Sequence, residues 1–221
     1  LMDLDSNGLR SHANALLNRY LERSCDYGML ECLPLFMSCR AAIRAHIAVA
    51  AERAGAEVTQ GRARRLLELA IAYLTPSSPK LVAIGGLSGS GKTKVARGLA
   101  PDLGPAPGAI VLRSDVIRKA MFDVPETEKL SQDVYVPAVT AEVYTRLRAR
   151  ALQISQFGYG VIADATFSND VERHLLEDAA RAADVSFTGL WLDASPATLE
   201  RRIVRRKSDA SDADISVLAW Q

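Results

Sequence analysis

Leu81-Val82-Ala83-Ile84-Gly85-Gly86-Leu87-Ser88-Gly89-Ser90-Gly91-Lys92-Thr93 runs from a short apolar stretch through a glycine-rich turn to a lysine–threonine pair. From Gly86 to Thr93 it meets the pattern G-x-x-x-x-G-K-[ST] in full. The apolar stretch reads as a strand and Lys92–Leu99 as a helix, the order of elements that the pattern requires. Glycines at 86, 89 and 91 let the backbone turn its N–H groups, with those of Leu87, Ser88 and Ser90, toward an anion. A helix starting near Gly91 adds the positive end of its dipole. Lys92 then supplies a mobile charge for β- and γ-phosphates, and Thr93 a hydroxyl for Mg²⁺. The stretch predicts a site for ATP with Mg²⁺.

Working outward, apolar runs recur at Ala109–Leu112, Val161–Ala163 and Val185–Leu192. Each is short and almost wholly apolar, as expected of strands covered on both faces. Helical patterns separate them, the longest using Val136, Val139, Val143, Leu147, Ala151 and Ile154. Strands alternating with helices imply right-handed βαβ units and a parallel sheet. The fold class expected is α/β: a three-layer αβα P-loop NTPase with a parallel sheet, preceded by an all-helical segment.

That segment ends at Thr75-Pro76-Ser77-Ser78-Pro79, a Pro/Ser cluster that marks a boundary. The division predicted is 1–76 helical and 80–221 P-loop domain. Upstream, Leu9, Ala13, Leu16, Leu17, Tyr20 and Leu21 recur at helical spacing after a Ser6/Asn7 start. Phe36, Cys39, Ile43, Ile47 and Ala50 do so after Pro34, and Ala63, Leu67, Ala70 and Leu74 form a third stripe. With Lys+Arg 27 against Asp+Glu 26, the net charge of +1 gives no reason to expect nucleic acid or an anionic membrane as partner. No apolar run approaches the roughly 20 residues of a bilayer crossing. The three cysteines, Cys25, Cys32 and Cys39, form no CxxC pair, which leaves reduced, mostly buried thiols of a cytoplasmic protein.

Two carboxylates follow predicted strands, where ligands bind in open parallel sheets. Asp115 comes after Ala109–Ser114, and Asp164 after Val161–Ala163. Phosphoryl transfer needs one carboxylate beside magnesium and another for the acceptor's proton. Asp115 with Ser114 also suits a helix cap, and Asp164 suits a turn before Thr166. Arg118, on the helical face of Asp115, would hold an anionic part of the acceptor or lie at the surface. Arg202 and Arg206 stack one turn apart in a run of basic residues, as a solvated face or as groups closing over phosphates.

These stretches resemble the P-loop kinase-like module of bacterial proteins that fuse an aminoglycoside-phosphotransferase-like domain to an ATP-binding domain. The resemblance rests on Leu81–Thr93, Leu112–Lys119, Val161–Phe167 and Phe187–Asp193, with Lys207–Asp214 matching the lid. More loosely, Leu1–Asp5, Leu17–Glu22 and Arg40–Ala45 are similar to the closing helices of the upstream domain. The likeness implies Asp115 as base or acceptor-orienting group with Arg118 its partner. It also implies Asp164 as metal-side carboxylate and Arg202 and Arg206, rather than Arg201 and Arg205, as lid arginines. Such modules place one more strand after the lid, so the domain is expected to be cut short after it. The function expected is a kinase acting on a small-molecule hydroxyl, with Lys92, Asp115 and Arg206 catalytic. The alternative is a non-catalytic ATP-binding module that controls a fused domain.

Overall fold

The Pro/Ser cluster separates two kinds of local structure. The computed structural model describes residues 1–55, 61–205 and 210–212. Before the cluster it is helical: α1 (Met2–Asp5), α2 (Arg10–Ser24), α3 (Leu33–Arg53) and α4 (Arg62–Leu74). After it come β1 (Lys80–Gly86), α5 (Lys92–Leu99), β2 (Ile110–Arg113), α6 (Ser114–Met121), α7 (Pro137–Gln156) and β3 (Val161–Asp164). The alternation closes with α8 (Asp170–Ala182), β4 (Ser186–Leu192) and α9 (Pro196–Arg205).

Among the described residues the strands form one four-stranded sheet in the order β2-β3-β1-β4, with every pair parallel. Parallel neighbours cannot be joined by a tight turn, so helices make the crossovers and cover the sheet. Alternate residues of the inner strands feed opposite cores, following the two-residue period of a strand. Val82, Ile84, Val111 and Ile162 pack with Ala96 of α5, while Leu81, Ile110, Leu112 and Val161 pack with Leu147, Ala151 and Ile154 of α7. The register sets both Ile84 and Arg113 beside Asp164, so β2 and β3 finish together while β1 runs on to Gly86.

Cover on both faces, expected for all four runs, fails at β4. Leu190 and Trp191 are exposed there, on an outer strand with which no further strand pairs among the described residues.

The helical segment also departs from expectation. Phe36, Cys39, Ile43 and Ile47 are exposed, and α3 buries Leu33, Met37, Ala41, Ala45 and Ala48 instead. Alanines at four- and three-residue spacing let α3 lie close against α4, and a helix apolar on most sides offers no single stripe to read. In α4 the buried set is Leu66, Ala70 and Tyr73, with Leu67 and Leu74 outside. The same breadth makes α3 long and apolar enough to cross a membrane by length and composition, where the sequence suggested no such helix. All three cysteines are free and exposed rather than buried. Cys25, for one, closes α2 in a left-handed conformation (φ 54°). α2 itself starts at Arg10, since Ser6 and Asn7 are used in a turn onto the Asp3 carbonyl.

Helix α2 seals the outer edge of β2. An edge strand presents N–H and C=O groups that need partners. The side-chain amides of Asn14 and Asn18, both buried, donate to the Ala109 carbonyl at 3.0 and 3.1 Å. The Val111 N–H donates to Asn18 Oδ1 at 2.7 Å. Leu17 and Leu21 of α2 share one core with Ile110 and Leu112. Asn18→Ala should therefore lower stability by about 1–3 kcal/mol, the cost of an unpaired buried donor. Asn14→Ala should cost less, because Asn18 still serves Ala109. Urea unfolding of the two variants checks the order.

Candidate phosphate-binding site

The Gly86–Thr93 loop lies between the end of β1 and the start of α5, with Gly91 at the helix N-cap position (φ 102°). Two glycines are required by crowding as well as by conformation. Gly86 (φ 137°) would place a Cβ 2.3 Å from the Leu192 carbonyl oxygen, and Gly89 (φ 85°) one 2.8 Å from that of Leu199. The loop is thus pressed against the end of β4 and against α9. Lys92 Nζ donates to the carbonyls of Gly86 and Leu87 at 2.7 and 2.9 Å. Arg202, reaching from α9, donates to those of Gly89 and Ser90 at 3.2 and 2.9 Å. Two cations therefore hold four carbonyl oxygens of the loop. The buried Ser90 hydroxyl has no hydrogen-bond partner among the described residues.

Across from the loop, the Thr93 hydroxyl donates to Asp164 Oδ2 at 2.6 Å. Asp164 is 5% exposed, and burial pushes its carboxyl above the usual range. The Thr93 hydrogen bond and the charges of Arg113 and Lys92 oppose that rise, while Asp115 adds to it. Asp164 is the last residue of β3, so the turn role considered for it is not its place.

The donors fit magnesium. No cage of three or more His, Cys, Asp or Glu side chains occurs among the described residues. A threonine hydroxyl and a carboxylate are hard oxygens, and Mg²⁺ takes few protein ligands, completing its shell with phosphate oxygens and water.

Ser114 and Asp115 form the first turn of α6, which has no side-chain cap, so the capping role is not what fixes Asp115. Asp115 and Arg118 line the same cavity as the loop. Arg118 is buried rather than a surface arginine. Its guanidinium donates to the Val134 carbonyl at 3.0 Å and to Thr140 Oγ1 at 3.1 Å, and lies 4.9 Å from the Tyr135 ring centroid. It thereby ties α6 to the start of α7.

Lys119, also buried, directs its ammonium at three acceptors: the carbonyls of Glu126 and Glu128 (2.7 and 2.5 Å) and Asp212 Oδ1 (2.9 Å). Asp212 further accepts from the Leu130 N–H and the Tyr135 hydroxyl at 2.9 and 2.8 Å. Asp212, beyond α9, is thereby a strap onto the α6 side of the cavity. Burial pushes the Asp212 carboxyl up, but these donors outweigh it and the net shift is downward.

The whole encloses about 930 Å³, lined by Ser88–Thr93, Asp115, Arg118, Asp164 and Arg202 among others. Gly86 and Leu87, expected at the nucleotide, are not among the residues that line the cavity; their carbonyls accept from Lys92. Arg206 lies outside the described residues. Arg205, set aside in favour of Arg206, does line the cavity. Arg113 escaped the sequence reading. A charged residue ending an apolar strand was the available signal, since buried arginines need acidic partners.

A family model described as an AAA domain matches residues 81–221. The chain belongs to that family. Its parallel sheet with flanking helices is an α/β fold that resembles that of P-loop kinases. Uncharacterized proteins of Mycobacterium tuberculosis and Mycobacterium bovis are 26% identical over 222 residues, covering 99% of this chain and 44% of each relative. The chain thus spans less than half the length of the curated relatives it matches. Among solved structures, a proposed kinase of Chloroflexus aurantiacus is 24% identical with a TM-score of 0.50, over 64% of this chain and 75% of its own. The APS kinase of M. tuberculosis, in complex with AMPPNP and APS, is 27% identical with a TM-score of 0.47, over 59% and 71%.

Because Asp212 is held below its ordinary value, its strap should persist through neutral and mildly acidic solution. It should loosen only as pH falls beneath about 4, the ordinary aspartate value. Asp212→Ala should loosen it at every pH, measured as faster amide hydrogen exchange at Leu130, whose N–H donates to Asp212, with the unaltered protein protected at pH 7.

Proposed function

We propose that this protein is an ATP-dependent phosphotransferase that passes the γ-phosphate to a hydroxyl of a small molecule. One observation carries the reading: Ser88–Thr93 of the loop, the Thr93–Asp164 pair and Asp115 share a single cavity. Binding nucleotide needs only the loop. A second carboxylate within the same cavity is what transfer to a hydroxyl adds.

On ATP binding, Lys92 would leave the Gly86 and Leu87 carbonyls for the β- and γ-phosphates, and the N-terminus of α5 would face them. Magnesium, held by Thr93 and by Asp164 directly or through water, would neutralise charge on those phosphates. Asp115 would orient the acceptor hydroxyl and take its proton as the new O–P bond forms. The bond from the γ-phosphorus to the β–γ bridging oxygen breaks, and ADP departs. Arg202 and Arg205, both on the cavity wall, would meet charge gathering on the transferred group; Arg206 is proposed for the same duty. Arg118 would act by holding the acceptor wall in shape, a role its hydrogen bonds to Val134 and Thr140 support. In the same reading, α1–α4 are the closing helices of a phosphotransferase-like domain in a longer protein.

Lys92→Ala should abolish ATP binding and transfer together. Asp115→Asn should leave ATP binding within about twofold and lower transfer about 10²- to 10⁴-fold, the usual worth of a general base. Nucleotide titration and an acceptor screen with radiolabelled ATP make the test. Unchanged transfer in Asp115→Asn would remove the base from the reading. Tight ATP binding with no product across sugars, aminocyclitols and nucleosides would favour a binding module instead.

A further inference from the structure

Beyond Thr93, two more threonines line the cavity, Thr140 on α7 and Thr166 just after β3. Behind each stands a committed donor. Arg118 Nη2 donates to Thr140 Oγ1 at 3.1 Å, and a guanidinium can only donate, so Thr140 accepts there and keeps its proton. Thr166 Oγ1 lies 3.2 Å from the Tyr144 hydroxyl, which itself accepts from the Phe167 N–H at 3.0 Å. A phenol is more acidic than an aliphatic alcohol, and accepting from an N–H polarises it further, so Tyr144 is the donor of that pair. Burial raises the Tyr144 phenol against the pull of both hydrogen bonds, which keeps it protonated for that task. Thr166 therefore also keeps its proton, and among the described residues no acceptor takes either one.

Both hydroxyls are held from several sides. Thr140 and Tyr144 stand one helical turn apart on the same face of α7. The Thr166 carbonyl accepts from the Gly86 N–H at 3.1 Å, which ties this turn to the start of the phosphate loop. Phe167 takes a left-handed conformation (φ 49°), costly for so bulky a residue. Its N–H on Tyr144, its carbonyl on Arg173 and its ring 5.4 Å from that of Tyr144 hold it there. Neighbouring polar groups are spent elsewhere: the Tyr135 hydroxyl on Asp212, and Arg118 Nη1 and Nη2 on Val134 and Thr140.

We propose that Thr140 and Thr166 are specificity-determining residues that donate to oxygens of the phosphate acceptor. Such an acceptor carries further oxygens besides the hydroxyl that gives its proton to Asp115, the pattern of a polyol such as a sugar or cyclitol. A mono-alcohol leaves both donors unpaired inside the cavity. A site built for hydrogen bonds rejects analogues that lack the matching groups for that reason. The inference rests on the kinase reading above and gives it a substrate class.

The experiment measures transfer from radiolabelled ATP by the 221-residue chain to D-glucose, D-ribose and myo-inositol, with propan-1-ol and cyclohexanol as mono-alcohols. The best polyol should exceed the mono-alcohols in kcat/KM by about 10- to 100-fold, the worth of two hydrogen bonds. Thr140→Val and Thr166→Val should each raise its KM about three- to tenfold, with kcat within about twofold. Thr140→Ser and Thr166→Ser should keep the original KM. Each valine variant should also lose discrimination against one monodeoxy analogue of that polyol, the coupling expected of a direct contact. If neither valine variant moves KM while product forms, the kinase reading stands and the role of the threonines falls. Equal use of the mono-alcohols overturns the polyol class. A fall in kcat in step with lower melting temperature, unrelieved by serine, makes the contacts merely structural and overturns the proposal. If the unaltered chain binds ATP yet gives product neither here nor in the wider acceptor screen, the kinase reading itself fails.

Discussion

Parallel pairing of β1 with β3, in the register that sets Ile84 beside Asp164, governs the rest of the site. It brings the end of β3 beside the end of β1, just before the Gly86–Thr93 loop, which lets the first turn of α5 offer Thr93 to Asp164 at 2.6 Å. A slip of one residue would turn every side chain of β3 to the opposite face. Asp164 would then point away from the loop, and Ile162 would leave the core it shares with Ile84 and Ala96. Core packing and site geometry thus fix the same register, and neither can change without the other.

Around that pairing, the loop owes its shape to elements distant in sequence. The Leu192 and Leu199 carbonyls crowd Gly86 and Gly89, and Arg202 bonds to the carbonyls of Gly89 and Ser90. The opposite wall is built around two buried basic residues of α6. Arg118 and Lys119 spend their donors on the carbonyls of Val134, Glu126 and Glu128, on Thr140 and on Asp212. Buried cations on this scale are costly unless each finds acceptors. Their pairing ties together the loop after α6, the start of α7 and the strap after α9. The cavity wall and the strap are in that sense one hydrogen-bonded unit.

The helices before the Pro/Ser cluster share this architecture. Asn14 and Asn18 complete the hydrogen bonding of β2, and Leu17 and Leu21 enter the core of the sheet. A boundary read from composition marks where the type of local structure changes. It carries no information on whether the parts bury surface against each other, because a Pro/Ser turn of this length suits either case. Helix α3 shows a related limit. Its alanine face is buried and its Phe36, Ile43 and Ile47 face is exposed, the reverse of what size and hydrophobicity suggest. Close approach of two backbones rewards small side chains, and a stripe of large ones is not by itself a sign of burial.

By itself the sequence determined the phosphate loop, the βαβ alternation, the four strands and the placement of Asp115 and Asp164 at strand ends. These follow from short-range constraints: glycine's conformational freedom, the two-residue and 3.6-residue periods, and the rule that parallel strands need helical crossovers. What only the tertiary structure decided was which charges meet. Arg113 finds Asp164 and Glu126, Lys119 finds Asp212, and Arg202 finds the phosphate loop, across separations that no local pattern encodes. Electrostatic pairing depends on distance in space and on burial, and both are properties of the folded chain.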